Sequence, residues 1–169
     1  YLESKPKIEA TCFNPIPGTF VLGDSMVKKD TQGILHRCKN SRLKIINKLK
    51  NNEPEFSLNS IDVSEITSFA KFLTESDLEI LRGTIKNRDI LRQALAELQS
   101  INPHYPLISR LLTKHHVILR DVLKVSTSKI ETMLEAALNA GALGGKINGS
   151  GGGGCMFVYA PKNPEAVAE

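Results

Sequence analysis

Hydrophobic positions along the chain follow two different patterns. Between about residues 30 and 140 they recur every three to four positions, whereas near both ends they fall in short runs rich in β-branched and aromatic residues. The first pattern is that of amphipathic helices and the second is typical of strands. Because the strands are separated from the helices along the chain, the sequence favours an α+β fold over a doubly wound parallel sheet.

The strand patterns lie over residues 10–13, 18–23 and 155–159, and a dense turn signal at residues 14–18 separates the first two. The first predicted helix begins after the N-cap Asp30 and ends near Pro54, and two short ones follow between Val63 and Ile80. Two long helices come next, one opened by Gly83 and Thr84 and another over residues 108–123. The last two are one that starts at Ser128 with a capping box to Glu131 and one that opens at Pro164.

A glycine-rich segment lies between the last long helix and the last strand. Residues 144–154 hold seven of the twelve glycines and end in four consecutive ones. Glycine loses more backbone freedom on folding than any other residue, so this run indicates positive φ angles or a ligand close to the main chain. Successive N–H groups without side chains can bind an anion such as phosphate.

The same composition is typical of a flexible linker. Only fifteen residues follow Gly154, however, and they begin with the apolar strand pattern of residues 155–159. We therefore interpret the segment as a structured loop.

The composition is that of an ordinary globular domain, with 169 residues of which 41% are hydrophobic and 24% are charged. No apolar stretch approaches the roughly 20 residues of a membrane helix, and the polar opening segment is unlike a signal peptide. Three scattered cysteines, Cys12, Cys38 and Cys155, argue against a disulfide framework or a zinc site. A cytoplasmic location is therefore expected, with no membrane partner. The missing initiator Met and the unfinished last helix predict a fragment of a longer protein.

Residues 31–52 carry basic side chains and no acidic one, and the basic set is Arg37, Lys39, Arg42, Lys44, Lys48 and Lys50. Such a segment could attract a polyanion. Because no aromatic residues interleave with these positions to stack on bases, a solvated helix face is the preferred interpretation, and no nucleic-acid partner is expected.

Three segments resemble, in order, parts of one kinase superfamily. The helix–loop–strand segment Gly141–Cys155, closed by Gly-Gly-Cys, is similar to the third signature of the GHMP kinases (galactokinase, homoserine kinase, mevalonate kinase and phosphomevalonate kinase). His116–Asp121, followed by Val125-Ser126 and Ile130-Glu131, resembles the helix pair before this loop in the galactokinase branch. Val21–Lys28 resembles the strand and turn that open the C-terminal half.

This resemblance implies an antiparallel sheet with helices packed on it, of ferredoxin-like type, over residues 1–169. It implies that the chain is the C-terminal domain of a kinase whose N-terminal ATP-binding domain is absent. The cofactors would be ATP and Mg²⁺, and the partners a small-molecule substrate and the N-terminal half. The residues implied to bind ATP or substrate are Gly149, Ser150, Gly151, Gly152, Gly153, Gly154, Asp24 and Ser25.

No catalytic residue or metal ligand is assigned, because the general base and the Mg²⁺ ligands are expected in the absent half. The implied reaction is transfer of the γ-phosphoryl group of MgATP to a hydroxyl, with a sugar as the first substrate candidate. His36 stands near the position where galactokinases carry a Tyr, which argues against galactose itself. The alternative is a non-catalytic module of the same fold that senses a sugar.

Two further groups are weighed against ordinary structural roles. Lys146 could assist anion binding, although a lysine that flanks a loop more often faces solvent. His115 and His116 lie on or beside the apolar face of a helix. A packed or hydrogen-bonded histidine is the preferred interpretation for both, rather than a catalytic one.

Overall fold

The structure is a computed structural model that describes residues 2–3 and 8–169, with side chains from residue 8 onward. Residue 1 and residues 4–7 lie outside the described residues. They belong to the polar opening segment that is unlike a signal peptide. The elements are β1 Leu2–Glu3, β2 Glu9–Ala10, β3 Phe20–Asp24, α1 Thr31–Asn52, a 3₁₀-helix Val63–Phe69, α2 Glu75–Leu98, α3 Tyr105–Asp121, α4 Ser128–Asn139, β4 Gly144–Ile147, β5 Cys155–Tyr159 and α5 Pro164–Ala168.

The main sheet has three antiparallel strands in the order β3-β5-β4, so the strand nearest the end of the chain lies in the centre. Leu22 of β3 pairs with Phe157 of β5, and Ile147 of β4 pairs with Met156. With helices between β3 and β4 and α5 after β5, these elements follow the first five of the β-α-β-β-α-β order of a ferredoxin-like fold. The predicted α+β class is confirmed.

Two hydrophobic cores hold the helices and the sheet. One lies between the second half of α1, the 3₁₀-helix and the start of α2, and it includes Leu49 and Ile66, both fully buried. The other lies between the sheet and helices α4 and α5, around Ile130 and Val158. Burial of one such side chain stabilises the fold by roughly 1.5–3 kcal/mol.

Helix α3 lies along the open edge of β4. The main-chain N–H of Gly145 donates to Thr113 Oγ1 at 3.2 Å, and that of Ile147 donates to His116 Nδ1 at 3.2 Å. Thr113 and His116 are three positions apart and therefore on one face of the helix. They satisfy donors that an edge strand would otherwise expose.

The predicted start of the long helix at Gly83 is wrong. Helix α2 begins at Glu75, because Thr74 and Asp77 form a capping box there. Gly83 lies inside the helix, where an added Cβ would be 2.9 Å from Val122 Cγ1. The glycine allows α2 and the end of α3 to approach each other. Gly83 therefore serves packing, although in the sequence it resembles the start of a helix.

Three other local predictions need correction. The strand expected over residues 10–13 is limited to Glu9–Ala10. The N-cap of α4 is Thr127 rather than Ser128, so Glu131 makes no capping box and its side chain is used elsewhere. The segment Gly144–Ile147, which we assigned to the loop, is the strand β4. In the part of the chain that the structure describes, no helix has the length and apolar character that crossing a membrane requires.

Candidate functional site

The glycine-rich loop connects β4 to β5 and consists of residues 148–154. Its glycines adopt positive φ at five positions, Gly149, Gly151, Gly152, Gly153 and Gly154, with values from 70° to 118°. L-residues with a Cβ rarely adopt this region, so the loop conformation itself requires glycine. This explains the glycine run physically and confirms the prediction of a structured loop.

The loop is held to its surroundings through alternate main-chain groups. The N–H of Gly152 donates to the carbonyl of Val125 at 2.7 Å, and the N–H of Gly154 donates to the carbonyl of Val27 at 2.9 Å. No described residue accepts a hydrogen bond from the N–H of Gly149, Ser150, Gly151 or Gly153. The loop therefore has fixed geometry and several N–H groups that the fold does not use.

Two of the glycines are also required by close contacts. A Cβ on Gly153 would lie 2.6 Å from the carbonyl oxygen of Val27, and one on Gly151 would overlap the carbonyl of Val125. Both neighbours are main-chain atoms that cannot rotate away. Gly149 differs, because the nearest atom to an added Cβ is the end of the flexible Lys29 side chain at 3.5 Å.

Asp24 and Ser25, which the resemblance implied as binding residues, lie directly beside this loop. The N–H of Ser25 donates to the carbonyl of Gly154 at 2.8 Å. Both side chains form the turn itself: Asp24 Oδ1 accepts from the N–H of Met26 at 2.9 Å, and Ser25 Oγ accepts from that of Val27 at 3.3 Å. Ser25 is buried, whereas Asp24 is exposed.

The N-terminus of α1 and Lys29 complete the surroundings of the loop. Ser150 Oγ lies 3.4 Å from Thr31 Oγ1 in the first turn of α1, and Lys29 Nζ donates to the carbonyl of Asn148 at 3.3 Å. Asp30 caps the helix, since its Oδ1 accepts from the N–H of Gly33 at 3.0 Å. We did not single out Lys29 or Thr31 from the sequence. Their position just before and after the predicted N-cap Asp30 was the available signal.

Lys146 lies on β4 rather than in the loop. Its ammonium donates to the carbonyl of Ile147 at 2.9 Å and lies 5.4 Å from the centre of the Phe157 ring. Burial lowers the pKa of Lys146. Burial, followed by the positive charge of Lys146, also lowers the pKa of the neighbouring His115 to about 4.

His116 connects three elements, as expected of a hydrogen-bonded histidine. Its ring is 4% exposed, with Nδ1 accepting from Ile147 and Nε2 lying 2.9 Å from Glu131 Oε1. An acceptor at Nδ1 requires the neutral tautomer with the proton on Nε2. The Glu131 carboxylate also accepts hydrogen bonds from Ser126 Oγ and Arg120 Nη1. Burial raises the pKa of Glu131, but these hydrogen bonds and the nearby charges outweigh burial and hold that pKa below its usual range.

The described residues contain no group of three or more His, Cys, Asp or Glu side chains placed to hold a metal ion. The carboxylates of Asp24 and Asp30, in the two segments that adjoin the loop, both accept from main-chain N–H groups. In this part of the chain, the loop therefore offers main-chain donors that suit an anion.

A family model described as "GHMP kinases C terminal" matches residues 85–169, half of the chain, and ends beyond the glycine-rich loop. The chain belongs to the GHMP kinase family. Sequence relatives include the mevalonate kinase of Thermococcus onnurineus, 43% identical over 83 residues, which are 49% of this chain and 23% of the relative. The galactokinase of Canis lupus familiaris is 29% identical over 103 residues, 60% of this chain and 26% of the relative.

Solved GHMP kinase structures share the fold. A galactokinase of Lactococcus lactis complexed with galactose superposes with a TM-score of 0.82 at 18% identity, over 96% of this chain and 42% of that one. A mevalonate kinase of L. major in complex with R-mevalonate gives 0.55 at 19% identity, over 97% of this chain and 41% of that one. The GHMP kinase C-terminal fold predicted from the sequence is confirmed. The chain spans about a quarter of the length of the curated relatives that it matches.

Proposed function

We propose that this GHMP kinase chain supplies the C-terminal part of an ATP-dependent small-molecule kinase, and that its glycine-rich loop borders the transferred phosphoryl group. Phosphoryl transfer depends mainly on positioning and charge stabilisation. The observation that carries the proposal is the loop itself, in which Gly152 and Gly154 anchor the backbone while the N–H groups of Gly149, Ser150, Gly151 and Gly153 have no acceptor among the described residues.

Positive charge near the loop supports an anionic ligand. Lys29 holds its ammonium beside Asn148, and the first turn of α1 reaches the loop at Ser150. Free N–H groups and the dipole at a helix N-terminus favour phosphate oxygens. In this proposal residues 149–154 contact ATP or substrate through the N–H groups of Gly149, Ser150, Gly151 and Gly153, while Gly152 and Gly154 anchor the loop. Asp24 and Ser25 hold the turn beside it.

MgATP would supply the phosphoryl group, and a hydroxyl of the substrate would accept it. The described residues provide no metal cluster, so the Mg²⁺ ligands and the general base are assigned to the N-terminal half. That half would also be the partner of this chain in the cytoplasm. The chain alone should fold and show no turnover.

Two substrate classes are candidates. The higher identity to mevalonate kinases, 43% over 83 residues, favours a hydroxy acid of the mevalonate type. The similarity to a galactokinase over 103 residues favours a sugar as the second candidate, which was our first choice from the sequence. The similarity to solved structures supports only the fold, because the sequence identity to them is 18–19%.

The test is a chimera in which this chain replaces the matching C-terminal region of the Thermococcus onnurineus mevalonate kinase. ADP release is measured with MgATP and either mevalonate, galactose or homoserine. We expect turnover with one substrate, and we expect Gly151→Val to abolish it. Gly141→Ala is the control, because Gly141 also has positive φ, at 108°, but lies outside the loop with open space around an added Cβ.

A chimera that folds and binds nucleotide but releases no ADP with any substrate contradicts the kinase assignment. If the same chimera binds a sugar, it supports the non-catalytic sensing module instead. Equal activity of the Gly151→Val and Gly141→Ala variants would remove the loop from the proposed site.

A further inference from the structure

The side chain of Lys29 lies across the glycine-rich loop. A Cβ added to Gly154 would overlap Lys29 Cε, and one added to Gly149 would lie 3.5 Å from Lys29 Nζ. The aliphatic part of the side chain therefore passes over the last glycine of the loop, and its ammonium lies beside the first. Lys29 is half-buried in this position, whereas the neighbouring Lys28 is exposed.

The main chain is held by hydrogen bonds on both sides of Lys29. The carbonyl of Val27 accepts the N–H of Gly154 at 2.9 Å, which ties the preceding residues to the loop. The carboxylate of Asp30 accepts the N–H of Gly33 at 3.0 Å, which ties the following residues to the first turn of α1. Lys29 therefore reaches the loop from a fixed position.

The ammonium of Lys29 has no carboxylate partner among the described residues. Its hydrogen-bond acceptor within this part of the chain is the carbonyl of Asn148 at 3.3 Å. An ammonium carries three N–H donors, so two of them are not used by the described residues. The carboxylates of Asp24 and Asp30 accept from main-chain N–H groups instead and leave the charge of Lys29 unpaired.

Unused main-chain donors lie next to this ammonium. Asn148, whose carbonyl accepts from Lys29, is followed by Gly149 and Ser150, and the N–H groups of both lack an acceptor among the residues that the structure describes. Hydrogen bonds between an ionised donor and an anionic oxygen are roughly twice as strong as neutral ones. A positive charge beside two unpaired N–H groups therefore suits one oxyanion that contacts all three.

We propose that Lys29 is a phosphate-binding residue, whose ammonium contacts an oxygen of the phosphoryl group together with the N–H groups of Gly149 and Ser150. This inference rests on the proposed function, which places the phosphoryl group at the loop, and it adds the side chain that supplies the positive charge. The competing role for Lys29 is structural, in which it only ties the loop to the turn before α1 through Asn148. A neutral donor could replace the ammonium in that role, but not in the binding of an anion.

The test follows the loop amides of the 169-residue chain by ¹H–¹⁵N NMR during titration with inorganic pyrophosphate at constant ionic strength. We expect saturable shifts at Gly149 and Ser150. Lys29→Gln should weaken binding at least about tenfold, the effect of losing a hydrogen bond to a charged group, whereas Lys29→Arg should retain most of the affinity. The control is Lys28→Gln, which removes the same charge from the exposed neighbouring residue and should change the Kd less than about twofold.

A parallel titration with mevalonate distinguishes phosphate from carboxylate as the source of the oxyanion. We expect no dependence of mevalonate binding on Lys29. Urea unfolding of Lys29→Gln and Lys29→Arg provides the structural readout, and the two variants should be equally stable. A dependence on Lys29 that appears with mevalonate and not with pyrophosphate would overturn the assignment to phosphate.

Two further outcomes separate this inference from the proposed function. If pyrophosphate shifts the loop amides with the same affinity in the parent chain and in Lys29→Gln, or if Lys28→Gln weakens binding as much as Lys29→Gln does, the role of Lys29 is overturned and the contact of the loop with phosphate stands. If pyrophosphate does not shift the loop amides of the parent chain at all, both the role of Lys29 and the proposed phosphate contacts of the loop are overturned.

Discussion

His116 of α3 accepts the main-chain N–H of Ile147 of β4 at 3.2 Å while its other ring nitrogen lies 2.9 Å from Glu131 of α4. One buried imidazole therefore connects two helices to the edge of the sheet. Both bonds use the neutral tautomer, since Nδ1 must accept and Nε2 must donate. The glycine-rich loop begins directly after β4, so it starts next to this contact.

Replacing His116 by Leu should destabilise the chain by about 2–4 kcal/mol, because the buried N–H of Ile147 and the Glu131 carboxylate both lose a partner. The free energy of unfolding in urea measures the loss. His104→Leu is the control: His104 is exposed before α3 and its side chain makes no cap bond, so its loss should be below about 0.5 kcal/mol. Similar losses for the two variants would contradict the bridging role of His116.

The pH dependence of stability should report on His115. Its folded pKa of about 4 lies below the ordinary 6.5, so between these values the unfolded chain binds a proton more readily than the folded chain. The contribution of His115 to stability is therefore complete above pH 6.5 and decreases as the pH falls towards 4. His115→Gln should flatten this part of the stability curve. A ring titration midpoint near 6.5 in NMR, or an unchanged curve in His115→Gln, would contradict it.

Glu131 should affect stability at lower pH than His115, and its contribution should likewise be lost as the pH falls. Its folded pKa is held below the ordinary 4.5, so the stabilisation is present above pH 4.5 and is lost as the pH falls through the folded pKa. Glu131→Gln should be less stable than the parent chain at pH 6, and the difference should shrink below pH 4. Urea unfolding at pH 3, 4 and 6 measures it. A difference that is constant across this range would show that the charge of Glu131 is not involved.

Alanine at two glycines of the loop should separate backbone strain from steric overlap. Gly149→Ala places a Cβ at a φ of 72° in ordinary contact with the flexible end of Lys29 and should cost about 1 kcal/mol. Gly151→Ala adds an overlap with the Val125 carbonyl at a φ of 82°, which should add about 1–3 kcal/mol. Thermal and urea unfolding of both variants provide the comparison. Equal costs would mean that the loop moves away from Val125 without penalty.

Arg37 should hold α1 to the end of α3. Its guanidinium donates to the carbonyls of Leu123 at 2.9 Å and Lys124 at 3.1 Å. Arg37→Ala should lower the free energy of unfolding by about 1 kcal/mol. Arg37→Lys should recover only part of this, because one ammonium lacks the planar fork of donors. Lys39→Ala, on an exposed position of the same basic segment, serves as the control and should have no measurable effect. Full recovery in Arg37→Lys would show that charge alone is sufficient.

Much of the fold could be predicted from local signals. Asp30 marked the start of α1, the apolar run of residues 155–159 marked β5, and Pro164 marked the start of α5. Each of these signals acts within a few residues of the element that it defines. For the same reason the glycine run indicated a loop with positive φ before any neighbour of that loop was known.

The predictions from sequence were wrong where the role of a residue depends on its contact with a residue far away in the chain. Gly83 resembles a helix boundary, but it serves the contact of α2 with Val122. Glu131 resembles the end of a capping box, but its carboxylate binds His116 and Ser126. Gly144 and Gly145 resemble loop residues, but they belong to a strand whose edge α3 covers.

The sequence by itself determined the α+β class, most helix positions, the need for glycine in residues 149–154 and the resemblance to the GHMP kinases, because these depend on composition and short-range pattern. Only the tertiary structure decided that Ser25 meets Gly154 and that Lys29 and the start of α1 lie beside the loop. Those relationships join residues that are far apart in the chain. They depend on how the helices pack on the sheet, which no local pattern specifies.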